Sequence, residues 1–211
     1  MSYTNTNNSI CWYDNAVPNE LCDDLIQLYE ANKDYHLPGR TLEGVADVKI
    51  STDMALCSPE FGNDSEDKIR FKTILDDELA GFVNNRIYEY ISVFDWITSS
   101  LNTYHTNYVI QKYQAMKGQY QEHIDGASWS EPSRERICGI IVYLNDVEEG
   151  GGTYFRHQNT YIDAKKGRIA IFPANWTHPH TGTVPISSDK YIVTSFLMPT
   201  EIISVKEKYV L

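Results

Sequence analysis

No stretch of this sequence approaches the ~20 consecutive apolar residues that cross a bilayer, so no membrane span is expected. Its opening residues, MSYTNTNNSICWYDN, lack both a basic start and an apolar stretch. They do not read as a secretory leader, and a cytoplasmic protein is expected. Cysteine is scarce: Cys11, Cys22, Cys57 and Cys138 are the four in the chain, with neither a CxxC nor a regular spacing. That argues against a disulfide framework and leaves free thiols in a reducing compartment. Basic residues are in deficit too, 18 Lys and Arg against 29 Asp and Glu, for a formal net charge of -11. A chain so acidic repels phosphate backbones, so nucleic acid is not the expected partner. Repeats, low-complexity tracts and linkers are also missing. With 211 residues and 42% hydrophobic content, the chain suits one globular domain, residues 1–211.

What is present divides into a helical first half and a strand-rich second half, about 1–104 and 105–200. Leu21, Leu25, Leu28 and Tyr29 keep the spacing of one helical face, which predicts a helix over 19–31 capped by Asn19. A second helical stretch is expected from about Asp64 to Ile97, interrupted at Gly81 or Asn84–Asn85. Between them lies a loop with a short strand at Val48–Ser51. From residue 107 the runs NYVIQKYQ, QYQEHID, RICGIIVYLN, GGTYF, TYIDA, GRIAIFP and KYIVTSFLM read as short strands separated by turn residues. So many short strands behind a helical segment predict a mainly β, α+β fold: a sandwich or jelly roll buttressed by helices.

Three residues of this chain can form a two-histidine, one-carboxylate metal site. In QYQEHID, His123 and Asp125 lie two apart, and on a strand both project from one face. The segment ANWTHPHTGTVP supplies a third ligand, His178 or His180, which alternation alone does not separate. Two nitrogens and one carboxylate leave coordination positions open, which suits non-haem iron chemistry rather than a closed structural zinc site. An isolated HxD pair is a weak signal, so the surrounding pattern has to carry the argument.

That pattern resembles the prolyl 4-hydroxylase-type Fe(II)/2-oxoglutarate oxygenases, most of all their small bacterial, viral and algal members. The pieces KYQAMKGQYQEHID, RICGIIVYLNDVEEGGGTYF, KKGRIAIFP and HPHTGTVPISSDKYIVTSF occur in the family's order and approximate spacing. The resemblance implies a double-stranded β-helix core with Fe(II), 2-oxoglutarate and O2 as cofactors and ascorbate as a candidate reductant. It implies His123, Asp125 and His180 as the catalytic iron ligands, because a family lysine or arginine follows the distal histidine by about ten residues. Lys190 fits that spacing to His180. Lys190 would then bind the far carboxylate of 2-oxoglutarate, with Tyr113, Tyr143 and Thr194 beside it. Arg136, Trp129 and Phe196 are the candidate substrate contacts, and loops 36–50 and 126–135 the candidate lids. The Asp125 carboxylate implies hydroxylation rather than halogenation. The substrate expected is a peptidyl proline, converted with decarboxylation of 2-oxoglutarate to succinate. A free amino acid or small metabolite, or a non-catalytic cupin-like metal-binding module, are the alternatives. Phe196, Gly139 and Met198 depart from the residues common in peptide-hydroxylating relatives.

Overall fold

The computed structural model describes residues 5–41, 47–55, 78–94, 103–106, 108–126 and 136–199. Strands are numbered in chain order. The larger sheet contains β1 (Asn5–Asn7), β2 (Ile10–Tyr13), β12 (Ile169–Pro173), β9 (Cys138–Tyr143), β14 (Lys190–Pro199), β7 (Val109–Tyr113), β5 (Thr52–Ala55) and β3 (Leu37–Pro38), in that order, with β6 (Thr103–His105) also paired to β14. The smaller sheet runs β11 (Thr160–Ile162), β10 (Thr153–Phe155), β13 (His180–Gly182), β8 (Gln119–His123) and β4 (Lys49–Ile50). Neighbouring strands pair antiparallel, and the two sheets form a jelly roll.

Strand alternation splits the larger sheet's side chains between two cores. Cys138, Val142, Ile169, Ile171 and Val193 pack outward against the helices α1 (Asn19–Ala31) and α2 (Ala80–Val93), through Leu21, Leu25, Val83, Ile87 and Tyr90. Ile141, Tyr143, Ala170, Phe172 and Ile192 face inward, with Phe155 and Ile162 of the smaller sheet. Beside this inter-sheet layer, and lined in part by its Ile141 and Ile192, lies a cavity of about 890 Å³.

Helix α1 spans the expected residues, but its N-cap is Pro18 rather than Asn19. Helix α2 runs through Gly81 and Asn84–Asn85 without a break. Gly81 faces open space, so it neither kinks the helix nor admits a neighbour. Residues 64–77 and 95–97 of the expected helix lie outside the described residues. Among the described residues, the first half also contributes the strands β1 to β5 beside its helices, and β6 begins at its end. The expected strand at 48–51 is β4, which joins β8 of the smaller sheet, and the unexpected β5 follows it and joins β7 of the larger. The chain crosses between sheets at Ser51 and closes the side of the cavity.

Candidate active site

The smaller sheet and the turns at its ends bring three side chains to the cavity floor. Strand β8 ends at His123, so Asp125 sits in the following turn rather than on the strand the HxD spacing suggested. That turn is pinned twice: the Gly126 amide donates to the Ala174 carbonyl at 2.8 Å, and Arg136 Nη1 donates to the Asp125 carbonyl at 3.1 Å. His180 opens β13 directly opposite His123. The ligand atoms of His123, Asp125 and His180 all lie within 4.8 Å of one another, with Asp125 carboxylate oxygens 3.4 Å from His123 Nε2 and 3.9 Å from His180 Nε2.

Both imidazoles are oriented by the backbone. His123 Nδ1 meets the Gln121 carbonyl at 2.8 Å, and His180 Nδ1 meets the His178 carbonyl at 3.1 Å. Those carbonyls can only accept, so each Nδ1 carries the proton and each Nε2 offers its lone pair to the centre. Burial lowers the His180 pKa to about 4, which keeps the ring neutral. Burial opposes charge on Asp125 as well, but His180, His123 and Arg136 outweigh it and hold the carboxyl near 2. A neutral His180 beside an ionised carboxylate has the protonation state a divalent cation requires. The donor set therefore fits iron(II).

Packing fixes the same three groups. The Tyr120 ring stacks on His123 at 3.5 Å, and Phe172 meets the His180 ring edge-on at 4.7 Å. Gly139 leaves the space that Asp125 occupies. A Cβ there would sit 2.6 Å from Asp125 Oδ2 and 2.7 Å from the Phe172 ring, so the small residue at this position has a structural cause.

Lys190 lies on the opposite sheet, at the start of β14, and is 2% exposed. Its ammonium stands 4.4 Å from the centre of the Tyr113 ring. Burial alone pushes its pKa down to about 7, and among the described residues no carboxylate pairs with it. A buried amine without a counter-ion is an unfavourable arrangement. A carboxylate ligand in the cavity would supply what is missing.

The remaining sequence candidates fall in several places. Tyr113, Thr194, Arg136 and Phe196 line the cavity. Arg136 stacks on the Phe196 ring at 3.6 Å, with donors left over for the cavity. The Tyr143 hydroxyl is 2.6 Å from Thr153 Oγ1, and of these two it is Thr153 that lines the cavity. His178 precedes β13 rather than sharing its face, and its Nε2 lies 2.9 Å from the Asn8 carbonyl, tying the β1–β2 turn to the site. Arg40, Thr41, Val48 and Lys49 of the expected 36–50 lid also line the cavity. Trp129, and residues 127–135 of the second lid, lie outside the described residues.

Sequence reasoning missed Asp53 and Gln111 in the cavity wall, and gave Lys49 no role beyond its place in the 36–50 loop. Lys49 Nζ bonds Asp53 Oδ2 at 2.6 Å, joining β4 to β5 across the two sheets. Only the fold brings that pair to the cavity. Gln111 was legible, because two-residue alternation puts it on the face of Tyr113.

Residues 108–198 match the family model of the 2OG-Fe(II) oxygenase superfamily. No curated protein sequence matches the chain significantly. Among solved structures, it is similar to the viral collagen prolyl hydroxylase of Paramecium Bursaria Chlorella virus-1 in its 2OG complex, with a TM-score of 0.61 and 17% identity over 92% of this chain and 97% of that one. A Trichoplax adhaerens prolyl hydroxylase in complex with a hypoxia inducible factor peptide fragment gives a TM-score of 0.65 and 17% identity, covering 91% of this chain and 84% of that one. A Pseudomonas putida prolyl-4-hydroxylase gives a TM-score of 0.65 and 15% identity, covering 92% and 94%. At such identities the structural likeness speaks to the fold. The cofactors of the matched superfamily are Fe(II), 2-oxoglutarate and O2, and the His123–Asp125–His180 cluster fits the first of them.

Proposed function

We propose that this chain, whose residues 108–198 carry the 2OG-Fe(II) oxygenase match, hydroxylates a peptidyl proline with coupled conversion of 2-oxoglutarate to succinate. One observation carries the reading: a single cavity holds the His123, Asp125 and His180 cluster at one sheet and, on the other, a buried Lys190 with no carboxylate partner among the described residues. Iron(II), held by His123, Asp125 and His180, would supply activation of O2 against the 2-oxo acid.

The chain's own residues do the rest. Lys190 holds the far carboxylate of 2-oxoglutarate and gains the counter-ion it lacks. Ile141, Ile192 and Thr194 line the cavity beside it. The backbone carbonyls of Gln121 and His178 retain the imidazole protons, so the ligand nitrogens need no deprotonation. Arg136, braced flat on Phe196, offers guanidinium donors to a substrate carbonyl next to the metal cluster. Val109 and Phe196 give that end of the cavity an apolar wall that excludes water and suits a pyrrolidine ring. The peptide preference is supported by the prolyl hydroxylases that share the fold, two of which are described with collagen or with a peptide fragment.

The test is succinate formation with Fe(II), 2-oxoglutarate and ascorbate across proline-rich peptides, free proline and host lysate. Turnover that needs a proline-containing peptide, with one oxygen added at proline, is the expected result. Turnover on free proline with silence on every peptide would overturn the peptidyl reading and leave the oxygenase chemistry standing.

A further inference from the structure

The wall beside Lys190 contains a hydrogen-bonded trio, and the Tyr113 hydroxyl also meets the Ser51 side chain. Tyr113 Oη donates to Gln111 Oε1 at 2.8 Å, and Gln111 Nε2 donates to Thr194 Oγ1 at 3.2 Å. All three side chains line the cavity, and Gln111 and Tyr113 are buried. Strand pairing sets them in place: β7 carries Gln111 and Tyr113 on one face, and β14 places Ile192 opposite Gln111 and Lys190 opposite Tyr113. Tyr113 thus supports the lysine with its ring while its hydroxyl proton is spent on Gln111.

A carboxylate arriving at Lys190 has only acceptor atoms. Tyr113 has one proton to give, so bonding the carboxylate means withdrawing it from Gln111. A fixed Gln111 would then keep a buried carbonyl oxygen with no donor. A half-turn of the amide removes the conflict. Nε2 then donates to the Tyr113 oxygen, and Oε1 faces Thr194, whose hydroxyl donates as readily as it accepts. The amide oxygen and nitrogen are nearly equal in size, so the turn needs no change in packing.

We propose that Gln111 is a positioning residue for the cosubstrate, a reversible amide that releases the Tyr113 hydroxyl proton to the carboxylate bound at Lys190. The inference rests on the oxygenase reading above. In the empty cavity Gln111 accepts from Tyr113. In the occupied cavity Gln111 donates to Tyr113, and Thr194 closes the chain. Affinity for 2-oxoglutarate therefore depends on Gln111 through Tyr113 rather than through direct contact.

The experiment is a double-mutant cycle read by calorimetry of 2-oxoglutarate binding to the Mn(II)-loaded full chain. Gln111→Met keeps the volume and removes both hydrogen bonds; Gln111→Glu keeps an acceptor that cannot become a donor. Gln111→Met leaves the Tyr113 proton without a competing acceptor, so 2-oxoglutarate binding should stay within about threefold of the wild type or tighten, with Mn(II) affinity unchanged. Gln111→Glu, which holds that proton, should weaken 2-oxoglutarate binding roughly tenfold or more. In a Tyr113→Phe background Gln111→Glu should cost less than in the wild type, because the proton it holds is gone and only its charge acts. A Gln111→Met protein that binds more than about threefold weaker, a Gln111→Glu penalty unchanged by Tyr113→Phe, or a Gln111→Glu protein that binds as tightly as the wild type, would overturn the relay. A Mn(II)-loaded wild type that does not bind 2-oxoglutarate at all overturns the oxygenase reading instead, so the two failures are distinguishable. Equal losses of Mn(II) and 2-oxoglutarate affinity in Gln111→Met would assign Gln111 a general packing role and refute the proposal.

Discussion

Replacing Lys190 by methionine tests the cavity from two directions, because the same amine that binds a carboxylate burdens the empty protein. Its pKa falls from 10.5 to about 7 through burial alone, which corresponds to roughly 5 kcal/mol of disfavoured charging. In the unfolded chain Lys190 keeps its proton to near pH 10.5; in the empty folded cavity it loses it near 7. Between these values the unfolded state binds more protons, so the wild type gains stability as pH rises through that window. Below about pH 7 both states are protonated and the full cost is present, without further pH dependence. Lys190→Met, of similar length, has no such linkage and should be the more stable protein at neutral pH. Urea unfolding of the metal-free and 2-oxoglutarate-free proteins measures the difference. From about pH 7 to about pH 9 the wild type should recover roughly 2–3 kcal/mol relative to Lys190→Met, the other titrating groups cancelling. Binding reverses the proton flow. At about pH 8, 2-oxoglutarate should draw close to one proton onto Lys190, seen as a calorimetric heat that changes with the ionisation heat of the buffer. A stability difference that stays flat over this range, or binding without proton uptake, would refute the counter-ion argument.

Other perturbations separate the metal cluster from its surroundings. Gly139→Ala places a methyl 2.6 Å from Asp125 Oδ2, and should weaken Mn(II) binding about 10- to 100-fold as the carboxylate shifts; unchanged metal affinity by calorimetry would contradict this. Tyr143→Phe removes the bond to Thr153 and should cost about 1 kcal/mol in urea unfolding while changing 2-oxoglutarate affinity less than about threefold. Phe196→Ala strips the surface on which Arg136 lies, and should raise the substrate KM more than it lowers 2-oxoglutarate affinity.

How far the sequence could be read depended on whether a feature was local or assembled. The strands of the second half were legible because alternation and turn residues are local, and β9 and β14 fall where their β-branched runs lie. Helix α1 declared itself by Leu21, Leu25 and Leu28. The short strands β1 to β5 were largely hidden: β2, β4 and β5 pair with the distant β12, β8 and β7, and β1 and β3 pair only with β2 and β5. At the site, the HxD spacing offered His123 and Asp125 and left His178 and His180 open, and it was the family resemblance that selected His180 and Lys190. The turn that holds Asp125 was misread as strand, since a two-residue offset satisfies either. Lys49 and Asp53 gave no local sign, because β4 and β5 diverge into different sheets before converging on one cavity.

The central claim is that His123, Asp125, His180 and Lys190 form one oxygenase centre, and Fe(II)-dependent conversion of 2-oxoglutarate to succinate measures it most directly. The wild type should form succinate only with Fe(II) and O2 together, and His123→Ala, Asp125→Ala, His180→Ala and Lys190→Met should each lose at least about 100-fold, Lys190→Met alone keeping Mn(II) affinity. Succinate formation that survives at the wild-type rate in any of the three metal-ligand variants would contradict the account.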